Sequence, residues 1–212
     1  MRYPAVIEVW SSETLLFVPD LPGFQVNATS PDDAVRLAPT RLLAFLEWIS
    51  ELELITLPSD GADIEVVETL RAEGGAGPLF AEDERTPDED QVELALAVAR
   101  GEVSDIVELV SDLSEAGMAE ARQVLTHLSE MDLWYAGRLR VDTTASTAVA
   151  DPIETLVQSA SDVEEAVDRR VELGPDGVWE VDGERWSLAK VLRRRTGHLR
   201  EHLPELIAID QA

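Results

Sequence analysis

Apolar residues recur with a period near two over the first third of the chain and near 3.6 over the second half. Residues 4–9 and 14–18 read as strands, rich in apolar and β-branched side chains, and Ser11, Ser12 and Glu13 between them predict a hairpin. The cluster Pro19-Asp20-Leu21-Pro22-Gly23 marks a turn, and residues 24–28 read as a third strand. Ser30-Pro31-Asp32-Asp33 has the order of a helix start: a hydroxyl N-cap, proline at the first helical position and acids at the positive end of the dipole. Val35, Leu37, Leu42, Leu43, Phe45, Leu46 and Ile49 give that helix its apolar face, and Pro39 predicts a kink or a restart near Thr40. Further strands are expected over 52–57 and 63–69.

Residues 72–88 are glycine-rich and then acidic, the composition of a linker. Beyond them the pattern predicts four helices, over 89–113, 115–141, 152–172 and 187–209, with Gly101 a disturbance in the first and Ser187 the N-cap of the last. Pro-Asp-Gly and Asp-Gly around Val178, Trp179 and Val181 predict a small hairpin before the last helix. The expected fold class is thus two-domain: a small α+β domain of order β-β-β-α-β over 1–71, a linker over 72–88 and an all-α four-helix bundle over 89–212.

Composition narrows the function. The chain of 212 residues carries 43 acidic and 17 basic residues, a net charge of -26 that repels phosphate backbones and argues against nucleic-acid binding. The run Arg193-Arg194-Arg195 stands against this trend and reads most simply as a solvated helix side, although Arg195 falls among apolar positions on the wheel. No apolar run approaches the roughly 20 residues of a membrane helix, and no leader pattern opens the chain, so a cytoplasmic protein without membrane partners is expected. Cysteine is absent, so a metal ion would have to use imidazole, carboxylate or water.

The three histidines all fall in the helical half. His198 and His202 stand four apart, so both imidazoles leave one helix face about 40° apart, beside Leu188, Val191, Leu192, Leu199 and Leu203. His127 shares the apolar face of its helix with Val124, Leu128, Met131, Trp134 and Tyr135. An inward histidine is commonly a hydrogen-bonded core residue, and a lone His-x-x-x-His is a common coincidence. Three of three on inward faces instead suggest an open site for one divalent ion, with zinc, nickel, iron and copper all compatible with imidazole. His198-Leu199-Arg200-Glu201-His202 also fits the His-x-x-Glu-His pattern of inverted zinc peptidases, but the distant acidic ligand of that class has no place in the remaining residues.

Two resemblances extend this reading. Tyr3-Pro4, the short strands, Pro19-Asp20-Leu21-Pro22-Gly23 and Ser30-Pro31-Asp32-Asp33-Ala34 resemble the HicB antitoxin family over about the first third of the chain. That likeness implies a protein-binding domain with a small basic protein as partner; Phe24 stands where the family often has cysteine, and no basic DNA-binding segment follows. The run Leu125 to Asp132, with Trp186-Ser187-Leu188 leading through Arg193-Arg194-Arg195 to His198 and His202, resembles the DinB-like four-helix metalloproteins from about Leu79 to Ile207. It implies His127, His198 and His202 as ligands of a divalent metal (zinc, nickel or iron). It also implies, as the leading enzymatic reading, a thiol-dependent transferase or isomerase acting on a small molecule with a small thiol. Arg195 is then a candidate for holding a substrate carboxylate, alongside its plainer role of pairing an acid on a neighbouring helix. Trp134 and Tyr135 are candidates to line the pocket or a homodimer contact, alongside a core role. The alternative is a non-enzymatic antitoxin-type module with a structural metal bundle.

Overall fold

The computed structural model describes residues 1–59, 61–73, 75, 77–142 and 151–211; Gly74 and Ala76 of the expected linker, residues 143–150 and Ala212 lie outside them. The N-terminal part is a four-stranded sheet of order β3-β2-β1-β4, made of β1 (Arg2–Val9), β2 (Thr14–Phe17), β3 (Gln25–Ala28) and β4 (Asp63–Arg71). β1 and β2 form the expected hairpin, with Val9 opposite Thr14; β3 continues it antiparallel, and β4 returns parallel to β1 with a bulge at Ala5/Val6. Alternation sorts the two faces. Ala5, Ile7, Leu16 and Val18 turn to α1 (Pro31–Glu51), whereas Val6, Leu15 and Phe17 turn the other way, onto Phe80. Glu8 shares the face of Val6 and is fully buried.

α1 is capped as its sequence suggests: Ser30 Oγ accepts from the Asp33 amide at 3.2 Å, with Pro31 at the helix start. Three expectations are corrected here. Pro39 neither kinks nor restarts an element, because the helix runs unbroken to Glu51; Val35 and Pro39 are both solvent-exposed, so the carbonyl that loses its amide partner can be hydrated. Val35 and Leu43 leave the apolar face and are 40% and 54% exposed. Residues 52–57 are turn and coil rather than a strand. Leu54 N donates to Ile49 O and Glu53 takes a positive φ of 59°, which ends the helix in a tight turn and consumes the residues that carried the apolar pattern.

The C-terminal part is helical: α2 (Glu89–Ser111), α3 (Glu115–Arg138), α4 (Pro152–Leu173) and α5 (Leu188–Asp210). α3 packs on α4 and α5, and α2 on α5 and α4. Local signals set the boundaries: an Asp88/Gln91 capping box opens α2, Ser114 opens α3, Asp151-Pro152 opens α4 and Ser187 opens α5. The expected hairpin forms from β5 (Trp179–Val181) and β6 (Glu184–Trp186), pairing Trp179 with Trp186 across an Asp182-Gly183 turn with φ of 54° and 81°. Two cores fill the helical part, one around Tyr135, Val163, Trp186 and Val191, the other around Ile106, Leu125, Leu156 and Leu199.

Both parts meet on α5 and α2. Gly101 leaves α2 intact and lets α1 come close: a Cβ there would stand 2.6 Å from Leu52 Cδ1 and 3.3 Å from Trp48. Gly197 does the same for the sheet, since a Cβ would meet Gln25 Oε1 at 2.5 Å and Phe17 at 3.2 Å. The segment expected as a linker contributes buried Phe80 and a short 3-10 turn, Glu82–Glu84, whose Asp83 is buried.

The arginine run is not a solvated helix side. Arg193 is buried and donates from Nε and Nη2 to Asp83 at 2.9 and 2.8 Å and from Nη1 to Glu8 at 3.0 Å. Arg194 adds a 2.9 Å contact to the other Glu8 oxygen, and Arg195 turns to α3. Lys190 Nζ, one turn earlier, donates to the Gly77 and Arg185 carbonyls at 2.8 and 3.0 Å. Burial opposes the charge on Arg193, but the two carboxylates outweigh it and raise its pKa.

Arg193→Met would leave Glu8 and Asp83 buried against apolar surroundings, so urea unfolding should show a loss of about 3–5 kcal/mol; a loss below about 1 kcal/mol would mean the network carries no such role. Glu102 on α2 gives a pH signature. It is buried with neither oxygen hydrogen-bonded, and burial pushes its carboxyl well above the ordinary value of 4.5 against the pull of Arg200 and Arg195. The folded chain therefore keeps a proton that the unfolded chain gives up. This contribution to stability is full below the ordinary value and falls as pH rises towards the raised one. Glu102→Gln should flatten the decline of Tm as pH rises above the ordinary carboxyl value and raise Tm at neutral pH; an unchanged slope would count against this protonation.

Candidate metal centre

His127 lies on α3 one residue before buried Leu128, and its ring reaches the groove between α3 and α5. His198 and His202 project from α5 one turn apart, next to buried Leu199. The three rings meet edge to face, with centroids 5.0 Å apart for His127–His198, 5.0 Å for His127–His202 and 4.7 Å for His198–His202. One ligand atom of each lies within 4.8 Å of those of the other two. All three are half-buried, which shields the site and leaves a way in.

His202 Nδ1 stands 3.1 Å from Glu205 Oε2 and His198 Nδ1 3.9 Å from Glu201 Oε2, each acid lying three residues on along the same helix. His198 Nε2 is buried with no hydrogen-bond partner. A buried ring nitrogen left unsatisfied costs about 1–3 kcal/mol unless something occupies the point it faces. A metal ion with bonds of about 2.0–2.1 Å would need its nitrogens roughly 3.3 Å apart, so modest turns of these side chains would close the set. The donors are imidazoles, and the His202 ring is hydrogen-bonded to the Glu205 carboxylate, a pairing that orients a ring and raises its basicity. The residues present fit a divalent ion.

The remaining candidates separate by environment. Arg195 is 2% exposed and donates from Nε to Asp132 Oδ1 at 2.8 Å and from Nη2 to Oδ2 at 3.4 Å, with Ser159 Oγ also on that carboxylate at 3.3 Å. Burial works against its charge and Asp132 outweighs that, raising the pKa. Arg195 therefore ties α5 to α3. Tyr135 faces the centre: its ring is 6.3 Å from His198, and its hydroxyl pKa is raised by burial and drawn back by Arg194. Trp134 stacks instead on Trp186 at 5.3 Å and under Arg138 at 4.2 Å, in the core around the β5–β6 hairpin. Glu201 and Glu205 were not expected to support the rings, although the repeated His-x-x-Glu spacing at 198/201 and 202/205 carries that signal. No family model, no curated protein and no solved structure matches this chain.

Asp132→Ala should destabilise the fold by about 3–5 kcal/mol by leaving Arg195 buried and unpaired, and Asp132→Ala/Arg195→Met should recover part of that in chemical denaturation. A double variant no more stable than Asp132→Ala would show that the two residues do not act as a pair.

Proposed function

We propose that the chain is a divalent-metal-binding protein in which His127, His198 and His202 hold one ion facially, as in DinB-like four-helix metalloproteins. The observation that carries the reading is the convergence of three imidazoles from two helices on one point, with the buried His198 Nε2 lacking any other partner. The order of α2 to α5, with one histidine on the second of these helices and two on the last, supports the same reading. Glu201 and Glu205 would fix the rings so that the ε nitrogens face the ion. Such an ion supplies a Lewis acid with open coordination positions, suited to a small thiol or another small-molecule substrate. Tyr135 would offer a hydroxyl at the edge of the site, and the half-buried rings would limit water around it. On this basis the activity to test is thiol-dependent transfer or isomerisation.

A second reading, a HicB-like protein-binding module, is favoured by the β-β-β-α-β order and by the open edge of β4, where Val66 and Val67 are 37% and 51% exposed. Under it, a small basic partner would bind whether or not the histidines are intact.

Metal analysis by mass spectrometry on tag-free protein should find about one ion per chain, lost in His198→Ala/His202→Ala. Glu205→Gln should weaken metal affinity at least roughly tenfold while leaving the fold intact by circular dichroism. Absence of bound metal after incubation with zinc, nickel or iron would overturn the metal reading and shift weight to protein binding.

A further inference from the structure

A cavity of about 410 Å³ opens between β3, α1 and α5, within the range of small-molecule sites. Its α5 side is formed by Arg200, Leu203 and Ile207, which point away from His198 and His202. Phe45 of α1 supplies an aromatic wall. The charged groups on the lining are Arg41, Arg200 and Glu201, so the cavity is locally cationic in a chain of net charge -26. Glu201 also lines the cavity, and its Oε2 stands 3.9 Å from His198 Nδ1.

The two arginines are weakly partnered among the described residues: Arg200 has only a long ion pair, and Arg41 has none. Arg200 rests over Phe45 at 5.0 Å and Trp48 at 4.5 Å, and its Nη1 is buried without a hydrogen bond. The nearest carboxylate oxygen, Glu102 Oε1, stands 3.8 Å away, beyond hydrogen-bond length. Arg41 is exposed and makes no hydrogen bond or ion pair among the described residues. Nη1 faces Glu102, but the Arg200 side chain is 28% exposed and lines the cavity, and a guanidinium stacked on aromatic rings with the rest of its fork accessible is preorganised for a carboxylate.

We propose that this cavity is a binding site, separate from the histidine centre, for a small organic acid whose carboxylate pairs with Arg200 and Arg41 and whose apolar body lies on Phe45, Leu203 and Ile207. The apolar walls exclude inorganic anions as the best fit, because they would remain dry against a fully hydrated ion. The second arginine disfavours amines. The site does not depend on the metal reading, since no histidine lines it.

The test is a ¹H–¹⁵N NMR titration of the full chain with octanoate and phenylacetate, beside octanamide and phenylacetamide. Saturable shifts are expected at the side-chain amides of Gln25 and Asn27 and at the Trp48 indole. The acids should bind at least about tenfold more tightly than the amides. Arg41→Gln, at an exposed position, should weaken the acids by roughly fivefold or more, as should Arg200→Lys, which keeps charge but loses the planar fork. Equal binding of acids and amides would overturn the proposal, as would shifts confined to the histidine rings. No saturable shift up to about 10 mM would overturn it as well.

Discussion

The buried pairing of Arg193 with Asp83 and Glu8 is the constraint on which the rest of the molecule turns. Three consecutive arginines on one helix would normally point to three directions in water. Here each direction ends on a buried acid: Arg193 on Asp83 of the 3-10 turn and Glu8 of β1, Arg194 on the same Glu8, and Arg195 on Asp132 of α3. Such pairs contribute little net stability, because desolvation consumes most of the Coulomb gain. Their effect is on alternatives. Sliding α5 by one residue would rotate all three guanidiniums by about 100° and strand several buried charges at once. The network therefore fixes the rotation and height of α5 relative to both the sheet and α3.

That fixed helix explains why the histidines converge. His198 and His202 follow Arg195 by one and two turns, so the anchor that sets Arg195 against Asp132 also sets both rings against α3. On α3, Asp132 and His127 lie five residues apart, and the same pairing aligns His127 with the opposing two rings. Arg195, expected as a contact for substrate, instead positions the centre through the helices that carry it. The geometry of three half-buried rings thus follows from fully buried charges a turn away.

Much of this was legible in the sequence, because it rests on local rules. The hairpin of β1 and β2, the caps at Ser30 and Ser187, the four later helices and the inward placement of all three histidines are set by alternation, helical spacing and capping chemistry. What failed depended on distant partners. Residues 52–57 carry a strand pattern, but the helix terminus that Leu54 N closes onto Ile49 O claims them first. Pro39 reads as a break only if its helix were covered on that side. Phe80 and Asp83 look like linker residues until the sheet face that buries them is in place, and Glu8 looks like a solvent-facing strand position until Arg193 arrives from 185 residues away. For Arg193 and Arg194 there is no comparable local signal, whereas Arg195, which falls among apolar positions on the wheel, is 2% exposed.

The two faces of α5 are therefore built on different physics. On one side Glu201 and Glu205 stand 3.9 and 3.1 Å from the His198 and His202 rings, and His198 Nε2 is buried without a hydrogen-bond partner. On the other, Glu102 and Arg200 sit 3.8 Å apart without a hydrogen bond, beside an open cavity. An acid that could serve Arg200 is at hand: Asp105 is near enough to bond Trp48 Nε1 at 3.0 Å and to act on both Glu102 and Arg200. Leaving that arginine without a close carboxylate keeps its fork available, at a cost that only an added anion would offset. Among the described residues, the buried side-chain nitrogens left unsatisfied on this helix are Arg194 Nε, His198 Nε2 and Arg200 Nη1, and such groups mark places where something else can bind.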